Sequence, residues 1–213
     1  SFRVGEDGPT HEPVEHEAQL RLMEQLKNHH GENSVLVLRP ADAAETSVCW
    51  KMAIENKKTP TALILSRQNI KDLPAAADRY DEALQAEKGG YIVTKTGEEP
   101  KVVLLASGSE VATLVEAAEL LKERDGIAAQ IVSVPSEGLF RNQCKEYQEE
   151  VIPAALPKFG LTAGLPVTLA GLVGANGTVY GLDHFGYSAP AKVLDEKFGF
   201  TGENIYNEIK KLF

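Results

Sequence analysis

Val102-Val103-Leu104-Leu105-Ala106 is an unbroken apolar run that passes through Ser107-Gly108-Ser109-Glu110 into a helical pattern over residues 111–123. A short apolar run bounded by turn residues predicts a strand that is buried on both faces. Ser107 and Glu110 have the spacing of a capping box, so we predict that each satisfies a free backbone donor at the start of the helix. A strand that turns directly into a helix is the repeating unit of α/β proteins. This stretch therefore predicts an α/β fold with a parallel sheet.

Strands and helices alternate on both sides of this stretch. We predict further strands over residues 35–38, 61–65, 91–94, 128–134, 158–162 and 178–182, and further helices over residues 14–27, 43–56, 144–150, 165–173, 190–197 and 203–212. Gly97-Glu98-Glu99-Pro100 between two strands predicts a hairpin. The first unit has only two clear strands, which is too few for a complete α/β domain. We therefore predict a partial parallel α/β unit, followed by a complete three-layer α/β/α domain with a mostly parallel five-stranded sheet.

The stretch over residues 72–88 is rich in Ala, Asp and Glu and lacks a strand pattern, which is typical of a linker. We place the domain division within it, which gives a first domain at 1–82 and a second at 83–213. In the first domain, apolar residues recur at a spacing of four, which predicts that the first helix buries this face. The residues of this face are Val14, Ala18, Leu22 and Leu26.

The composition is that of an ordinary globular chain, with 213 residues, 43% hydrophobic and 25% charged residues, and a net charge of −9. The acidic balance argues against nucleic acid as the main partner, because phosphate binding needs basic clusters. It leaves room for a small anion held by one or two local cations. The longest apolar runs are far too short to span a bilayer. Cys49 and Cys144 lack metal-type spacing, so we expect reduced, buried thiols in a cytoplasmic protein.

The densest concentration of function-capable residues is Gly5-Glu6-Asp7-Gly8-Pro9-Thr10-His11-Glu12-Pro13. Its glycines and prolines fix an unusual backbone that carries an aspartate and a histidine. Arg67 directly follows a predicted strand, and the carboxyl ends of strands are where α/β sheets bind ligands. A plain tight turn and a solvated or ion-paired arginine are the alternatives. We expect no metal site at His29-His30, because adjacent helical residues point apart, and a structural role for His184.

The loop Gly-Glu-Asp-Gly-Pro-Thr-His-x-Pro resembles the signature of transketolases. Six further segments resemble that family in the same order, at residues 39–42, 62–69, 89–91, 106–111, 132–136 and 185–190. The resemblance covers essentially the whole chain. It implies the last part of a pyrimidine-binding domain followed by the C-terminal domain. By the same resemblance, the diphosphate-binding domain, the glutamate that activates the cofactor and a histidine for the substrate phosphate would precede Ser1.

Transketolases transfer a two-carbon ketol unit from ketose phosphates to aldose phosphates in the pentose phosphate pathway, with thiamine diphosphate and Mg²⁺ or Ca²⁺ as cofactors. The resemblance implies that Asp7 bonds a substrate hydroxyl, that His11 faces the reacting centre and passes protons, and that Arg67 grips the substrate phosphate. It assigns no cofactor or metal ligand to this chain, so we expect the isolated 213 residues to bind no cofactor and to be inactive. Sugar phosphates, the missing N-terminal domains and a second copy in a cytoplasmic homodimer are the expected partners.

Two departures and several alternatives accompany this resemblance. Residues 24–32 lengthen the stretch between His11 and Arg39 by about two turns of helix relative to the family, and we expect them on the surface away from the site. Pro13 favours transketolase over deoxyxylulose-phosphate synthase, which tends to carry Gly at that place. Dihydroxyacetone synthase, the β subunits of 2-oxoacid dehydrogenases and a non-catalytic ligand-binding or interaction module stay open.

Overall fold

The computed structural model describes residues 2–5 and 7–213. Its first part is a two-stranded parallel sheet, in which Leu36 lies opposite Thr61. Asp42 begins the second helix, because its carboxylate accepts a hydrogen bond of 2.8 Å from the Glu45 backbone N–H. The elements are β1 (Leu36–Leu38), β2 (Thr61–Leu63), α1 (His16–Gln25) and α2 (Ala43–Glu55).

The second part is a five-stranded sheet with the order β3-β5-β4-β6-β7. Its strands are β3 (Tyr91–Lys95), β4 (Val102–Ala106), β5 (Ala129–Ser133), β6 (Lys158–Leu161) and β7 (Thr178–Tyr180). The strand β3 runs antiparallel to β5, and the other neighbours are parallel. This arrangement confirms the predicted fold class, a partial parallel unit followed by a mostly parallel five-stranded sheet.

The predicted hairpin around Gly97 is wrong. The strand β3 pairs with β5, with Tyr91 opposite Ser133, so β5 lies between β3 and β4. All five residues of β4 are fully buried, so this strand takes a central place with a parallel partner on each side. The strand β3 alternates between buried and partly exposed residues, as suits an edge.

Helices cover both faces of the larger sheet and complete three layers. Along β4, Val102, Leu104 and Ala106 face one apolar cluster, whereas Val103 and Leu105 face the other. The helices of the second part that supply buried residues to the first cluster include α4 (Glu110–Asp125), α8 (Ala191–Phe198) and α9 (Gly202–Lys210). Those that supply the second are α5 (Glu137–Arg141), which the sequence did not predict, α6 (Lys145–Val151) and α7 (Val167–Val173).

The predicted linker is partly helical, with α3 (Arg79–Ala83) followed by a 3₁₀ turn (Leu84–Lys88). Arg79 ties it to both parts of the chain. Its Nε donates to Asp42 Oδ2 at 2.6 Å, and its Nη2 donates to the Tyr91 hydroxyl at 2.7 Å. That hydroxyl in turn donates to Glu45 Oε1 at 2.6 Å. The division into domains at 82 and 83 stays a prediction.

The helix α1 packs with its charged side inward, against the prediction. Val14 and Ala18 are buried as expected, but Leu22 is 65% exposed and Leu26 is 63% exposed. Arg21 turns inward instead and donates to the carbonyls of Val37 and Pro135, at 3.2 and 3.3 Å.

The segment 24–32 is on the surface only in part. Glu24 is buried, because its Oε1 accepts from the Ser136 hydroxyl at 2.6 Å, so the expected surface position is wrong for this residue. The chain from residue 25 to residue 32 is exposed or half-buried and does not line the cavity described below. No helix within residues 2–5 and 7–213 is long and apolar enough to cross a membrane.

Candidate functional site

A cavity of about 590 Å³ lies where the carboxyl ends of the two sheets face each other. In parallel sheets ligands bind at this edge, most often between two neighbouring strands whose connections lead to opposite sides of the sheet. The larger sheet has such a point between β4 and β6, because the chain leaves β4 for β5 on one side and returns to β6 on the other. The cavity is lined by residues that follow β1 (Arg39 and Pro40), β2 (Ile64 to Arg67), β4 (Gly108 to Glu110) and β6 (Ala163 and Gly164).

The loop at residues 5–13 forms another wall of this cavity, through Thr10, His11 and Pro13. Gly5 and Gly8 have φ values of +98° and +80°, a backbone region that residues with a side chain rarely adopt. Gly5 and Gly8 therefore fix the backbone at two points of the loop.

This loop is fastened to the second part of the chain by backbone hydrogen bonds. The Ala189 N–H donates to the Gly5 carbonyl at 2.9 Å, and the Gly186 N–H donates to the Glu12 carbonyl at 3.2 Å. Just beyond the loop, the Leu165 N–H donates to the Val14 carbonyl at 3.0 Å. A wall of the cavity that belongs to the first part of the chain is thus held in place by the second.

The three candidate site residues lie close together. His11 and Arg67 both line the cavity, and His11 is exposed with its Nδ1 3.0 Å from the Thr10 hydroxyl. Arg67 Nη1 lies 3.4 Å from Asp7 Oδ2, and these two side chains are 59% and 47% exposed. An ion pair so open to water is weak, so the guanidinium can exchange the carboxylate for the anionic group of a ligand. The arrangement places an anion-binding cation and an imidazole on the walls of the same cavity.

A buried ion-pair network under the cavity was not predicted from the sequence. Glu110 is fully buried, with Arg3 Nη1 3.0 Å from its Oε1 and Arg39 Nη2 2.5 Å from its Oε2. Arg39 Nε also lies 3.4 Å from Glu17 Oε2. A sequence signal exists for one member of this network, because Arg39 directly follows β1, but none exists for the burial of Arg39 with Glu110.

The network shifts the pKa values of its members. Burial acts to raise the pKa of Glu110, but the guanidinium groups of Arg39 and Arg3 hold it below the ordinary value. Burial acts to lower the pKa of Arg39, but the carboxylates of Glu110 and Glu17 keep it above its ordinary value. Glu110 and Arg39 therefore stay charged at neutral pH, and their buried ion pair forms a fixed floor of the cavity.

The predicted capping box at the start of α4 is wrong, because Glu110 belongs to the ion-pair network instead. Ser109, not Ser107, precedes the helix, and it makes no side-chain capping bond. The Ser107 hydroxyl donates to Glu17 Oε1 at 3.1 Å. Because Glu110 is engaged by two arginines, its carboxylate does not turn back to the helix backbone.

His184 and the two cysteines lie outside the cavity lining. The His184 ring stacks on Tyr187, with ring centroids 5.7 Å apart, and its Nδ1 is 2.7 Å from the Phe185 carbonyl oxygen. Cys49 is buried, and burial raises its pKa to about 12. Cys144 is exposed, so the expectation of two buried thiols is wrong for this residue.

The described residues offer no fitting site for a metal ion. Over residues 2–5 and 7–213, no group of three or more His, Cys, Asp and Glu side chains is placed to hold one. The acidic groups beside the cavity, Glu17 and Glu110, are already paired with arginines.

Two family models match the sequence. The model of the transketolase pyrimidine-binding domain matches residues 1–72, and that of the transketolase-like C-terminal domain matches residues 89–201. The chain is 43% identical to the transketolase of Staphylococcus aureus strain MW2 over 213 residues, which is 100% of this chain and 30% of that protein. The chain thus spans about a third of the length of the curated relatives it matches.

Solved transketolases have the same fold over the whole of this chain. The transketolase from Leishmania mexicana has a TM-score of 0.86 and 35% sequence identity, covering 100% of this chain and 29% of that one. A transketolase from Pichia stipitis in complex with sedoheptulose-7-phosphate has a TM-score of 0.83 and 33% identity, with the same coverage of 100% and 29%.

Proposed function

This chain belongs to the transketolase family, and from that premise we propose that it forms the substrate side of a thiamine-diphosphate-dependent enzyme. The enzyme would transfer a two-carbon ketol unit from ketose phosphates to aldose phosphates. One observation carries the proposal: His11 and Arg67 line one cavity at the carboxyl ends of both sheets, and Asp7 lies against Arg67. The cavity thus combines a proton-transfer group with a phosphate-binding group.

Arg67 is the proposed phosphate ligand. Its side chain is 59% exposed, and among the described residues its ion pair is with Asp7, at 3.4 Å. A planar guanidinium can donate two parallel hydrogen bonds to a phosphate. Such a two-bond contact is stronger than a single contact with an exposed carboxylate. The family supports this role, since a relative from Pichia stipitis is described in complex with sedoheptulose-7-phosphate.

His11 and Asp7 are the proposed groups for the reacting end of the substrate. The imidazole of His11 is exposed to the cavity, and an imidazole can accept and return a proton near neutral pH. Asp7 would accept a hydrogen bond from a substrate hydroxyl, because an ionised carboxylate is a pure acceptor. When a phosphate occupies Arg67, Asp7 is released for that contact.

Other parts of the enzyme would hold the cofactor. Thiamine diphosphate supplies the electron sink of the reaction when it is bound, but the described residues offer no fitting ligands for its metal. We therefore propose that the 213 residues alone neither bind the cofactor nor transfer ketol units. The pentose phosphate pathway, Mg²⁺, a homodimer, a cytoplasmic location and the domain division at 82 and 83 belong to the same proposal and rest on the family.

A chimeric enzyme tests the proposal. These 213 residues replace the matching segment of the Staphylococcus aureus transketolase, which is 43% identical. We expect the chimera to transfer ketol units between a ketose phosphate and an aldose phosphate. The isolated chain should show neither this activity nor heat release on titration with thiamine diphosphate and Mg²⁺.

Two histidine variants give the chimera a matched control. His11→Ala should lower kcat by about a hundredfold, which is the low end for loss of a proton-transfer group. His184→Ala should leave kcat unchanged, because that ring stacks on Tyr187 outside the cavity lining. A folded chimera without ketol transfer, or equal losses in the two variants, contradicts the proposal. Binding of a sugar phosphate by the isolated chain without the cofactor would favour the non-catalytic module instead.

A further inference from the structure

Glu12, beside His11, has a buried side chain that the proposed reaction does not use. It is 0% exposed, and within residues 2–5 and 7–213 neither carboxyl oxygen has a hydrogen-bond partner. The carboxyl lies against Gly186, where an added Cβ would overlap Glu12 Oε2 and come within 3.0 Å of Phe2 Cα. Glu12 is therefore enclosed between the loop at residues 5–13 and the facing loop at residues 183–189.

An ionised carboxylate is costly in such a place. Removing a charge from water without a partner is among the least favourable events in folding, so the group either stays protonated or leaves its site. The pKa of Glu12 is raised, because burial, helped by the negative charge of Asp7, outweighs the positive chain terminus and the Gly5 backbone N–H, which both act to lower the pKa.

The charged and aromatic side chains nearest to Glu12 are engaged with other partners. Arg3 lies on the 3₁₀ turn Phe2–Val4, whose Phe2 is close to Gly186, and it is engaged by Glu110 at 3.0 Å and Asp195 at 2.6 Å. The His184 ring is engaged by Tyr187 and Phe198. The other titratable groups that the described residues place on the surrounding loops are Asp7, His11 and Asp183.

We propose that Glu12 is a positioning residue: its buried carboxyl, packed against Gly186, keeps the loop at residues 5–13 on the second part of the chain, and ionisation of the carboxyl loosens that loop. The loop carries Asp7 and His11, so the position of both depends on this contact. The consequence for catalysis rests on the proposed function. The contact of the Glu12 carboxyl with Gly186, called the seat below, does not.

The direction of the pH effect follows from the sign of the pKa shift. A carboxyl with a raised pKa binds its proton more tightly in the seated state than in the released state. The seat is therefore fully stable below the ordinary Glu value of 4.5 and weakens as the pH rises through the raised value. Its equilibrium constant can change at most about tenfold for each pH unit, since one proton is involved.

Hydrogen exchange of single amides in the 213-residue chain measures the seat directly. The amides of Gly186 and Ala189 donate to the Glu12 and Gly5 carbonyls, so their protection factors report whether the loop is seated. We expect these protection factors to fall between pH 4.5 and pH 8 in the parent chain. In Glu12→Gln, which has the same shape without the charge, they should stay level. Glu119→Gln, a change on the exposed side of α4, should follow the parent.

A steric variant tests the same seat without a change in charge. Gly186→Ala places a methyl group on Glu12, and the backbone of Gly186 does not lie in the left-handed region, so the substitution itself is unstrained. We expect lower protection of the Ala189 amide at every pH, with partial recovery when Glu12→Ala is added. Gly97→Ala, which makes a contact of 3.0 Å with Ala128 far from the loop, is the matched control.

Two outcomes overturn the inference: Glu12→Gln with the same pH dependence as the parent, or Gly186→Ala with unchanged protection of the Ala189 amide. In the chimera, kcat of the parent should decline as the pH rises through the raised pKa of Glu12, and Glu12→Gln should make this decline smaller. An inactive chimera would count against the proposed function, whereas the exchange experiment would still decide the role of Glu12.

Discussion

Replacing Glu110 by alanine should destabilise the protein more than any change on its surface. The carboxylate is fully buried and joins two guanidinium groups, that of Arg39, which is 11% exposed, and that of Arg3, which is 16% exposed. Removing one partner of a buried ion pair leaves an uncompensated charge and costs about 3–5 kcal/mol. A chain of this size loses about 2–4 °C of Tm for each kcal/mol. We therefore expect Glu110→Ala to lower the Tm by about 10 °C.

Thermal unfolding followed by circular dichroism measures this effect, and the chain supplies a control on the same helix. Glu116 forms an ion pair with Lys71 in which the two side chains are 46% and 75% exposed. Exposed pairs contribute about 0–1 kcal/mol, so Glu116→Ala should shift the Tm by only a few degrees. Equal shifts for Glu110→Ala and Glu116→Ala would refute the buried network as a source of stability.

The pH dependence gives a second check on the same residue. Because the pKa of Glu110 is lowered from 4.5, the folded state releases this proton more readily than the unfolded state. Its contribution to stability is present above pH 4.5 and is lost as the pH falls through the lowered value. Urea unfolding should therefore show a gap in the free energy of unfolding between the parent chain and Glu110→Gln. This gap should narrow as the pH falls below 4.5. A gap that does not change with pH would contradict an ionised Glu110.

Two further predictions concern the site and the thiols. In the chimera, Asp7→Ala should reduce by about tenfold the ratio of kcat/KM between two ketose phosphates that are epimers at the hydroxyl next to the carbonyl. The reason is the loss of one hydrogen bond to a charged group. An equal loss for both epimers would count against this contact. In the native chain, one thiol should react quickly with a chromogenic disulfide reagent and the second only after unfolding, because Cys144 is exposed whereas Cys49 is buried with a pKa raised to about 12; two fast thiols, or none, would contradict the placement of the cysteines.

The strands could be predicted from the sequence because each is a short apolar run whose burial is a local property. Leu36–Leu38 and Val102–Ala106 lie where the runs predicted them. The pairing of strands could not be predicted in the same way, since it depends on distant segments. Thus β5 takes the place beside β4 that a hairpin would have given to β3.

The orientation of α1 was missed because spacing alone does not show which polar groups a helix will meet. Its inward face is set by Arg21, which reaches the carbonyls of Val37 and Pro135, and by Glu24, which accepts from Ser136. These partners come from two different parts of the chain. Leu22 and Leu26 are exposed as a consequence.

The candidate site was predictable where a residue type and its position on a strand agree. Arg67 follows β2 and lines the cavity, while its role in anion binding stays a prediction. Arg39 follows β1 in the same way, but its burial with Glu110 and Glu17 requires both parts of the chain and leaves no local signal. The enclosure of Glu12 by Gly186 is a similar case, because the two residues are far apart in sequence.

The most direct test of the substrate side is the response of the chimera to Arg67→Ala with two acceptors that differ only in the phosphate. Loss of a hydrogen bond to a charged group costs about 1.5–3 kcal/mol, and each 1.4 kcal/mol is a factor of ten. We therefore expect the KM for the aldose phosphate to rise about tenfold or more, with kcat/KM for the unphosphorylated aldose unchanged. An unchanged KM for the aldose phosphate, or the same loss for both acceptors, would contradict the proposed role of this cavity.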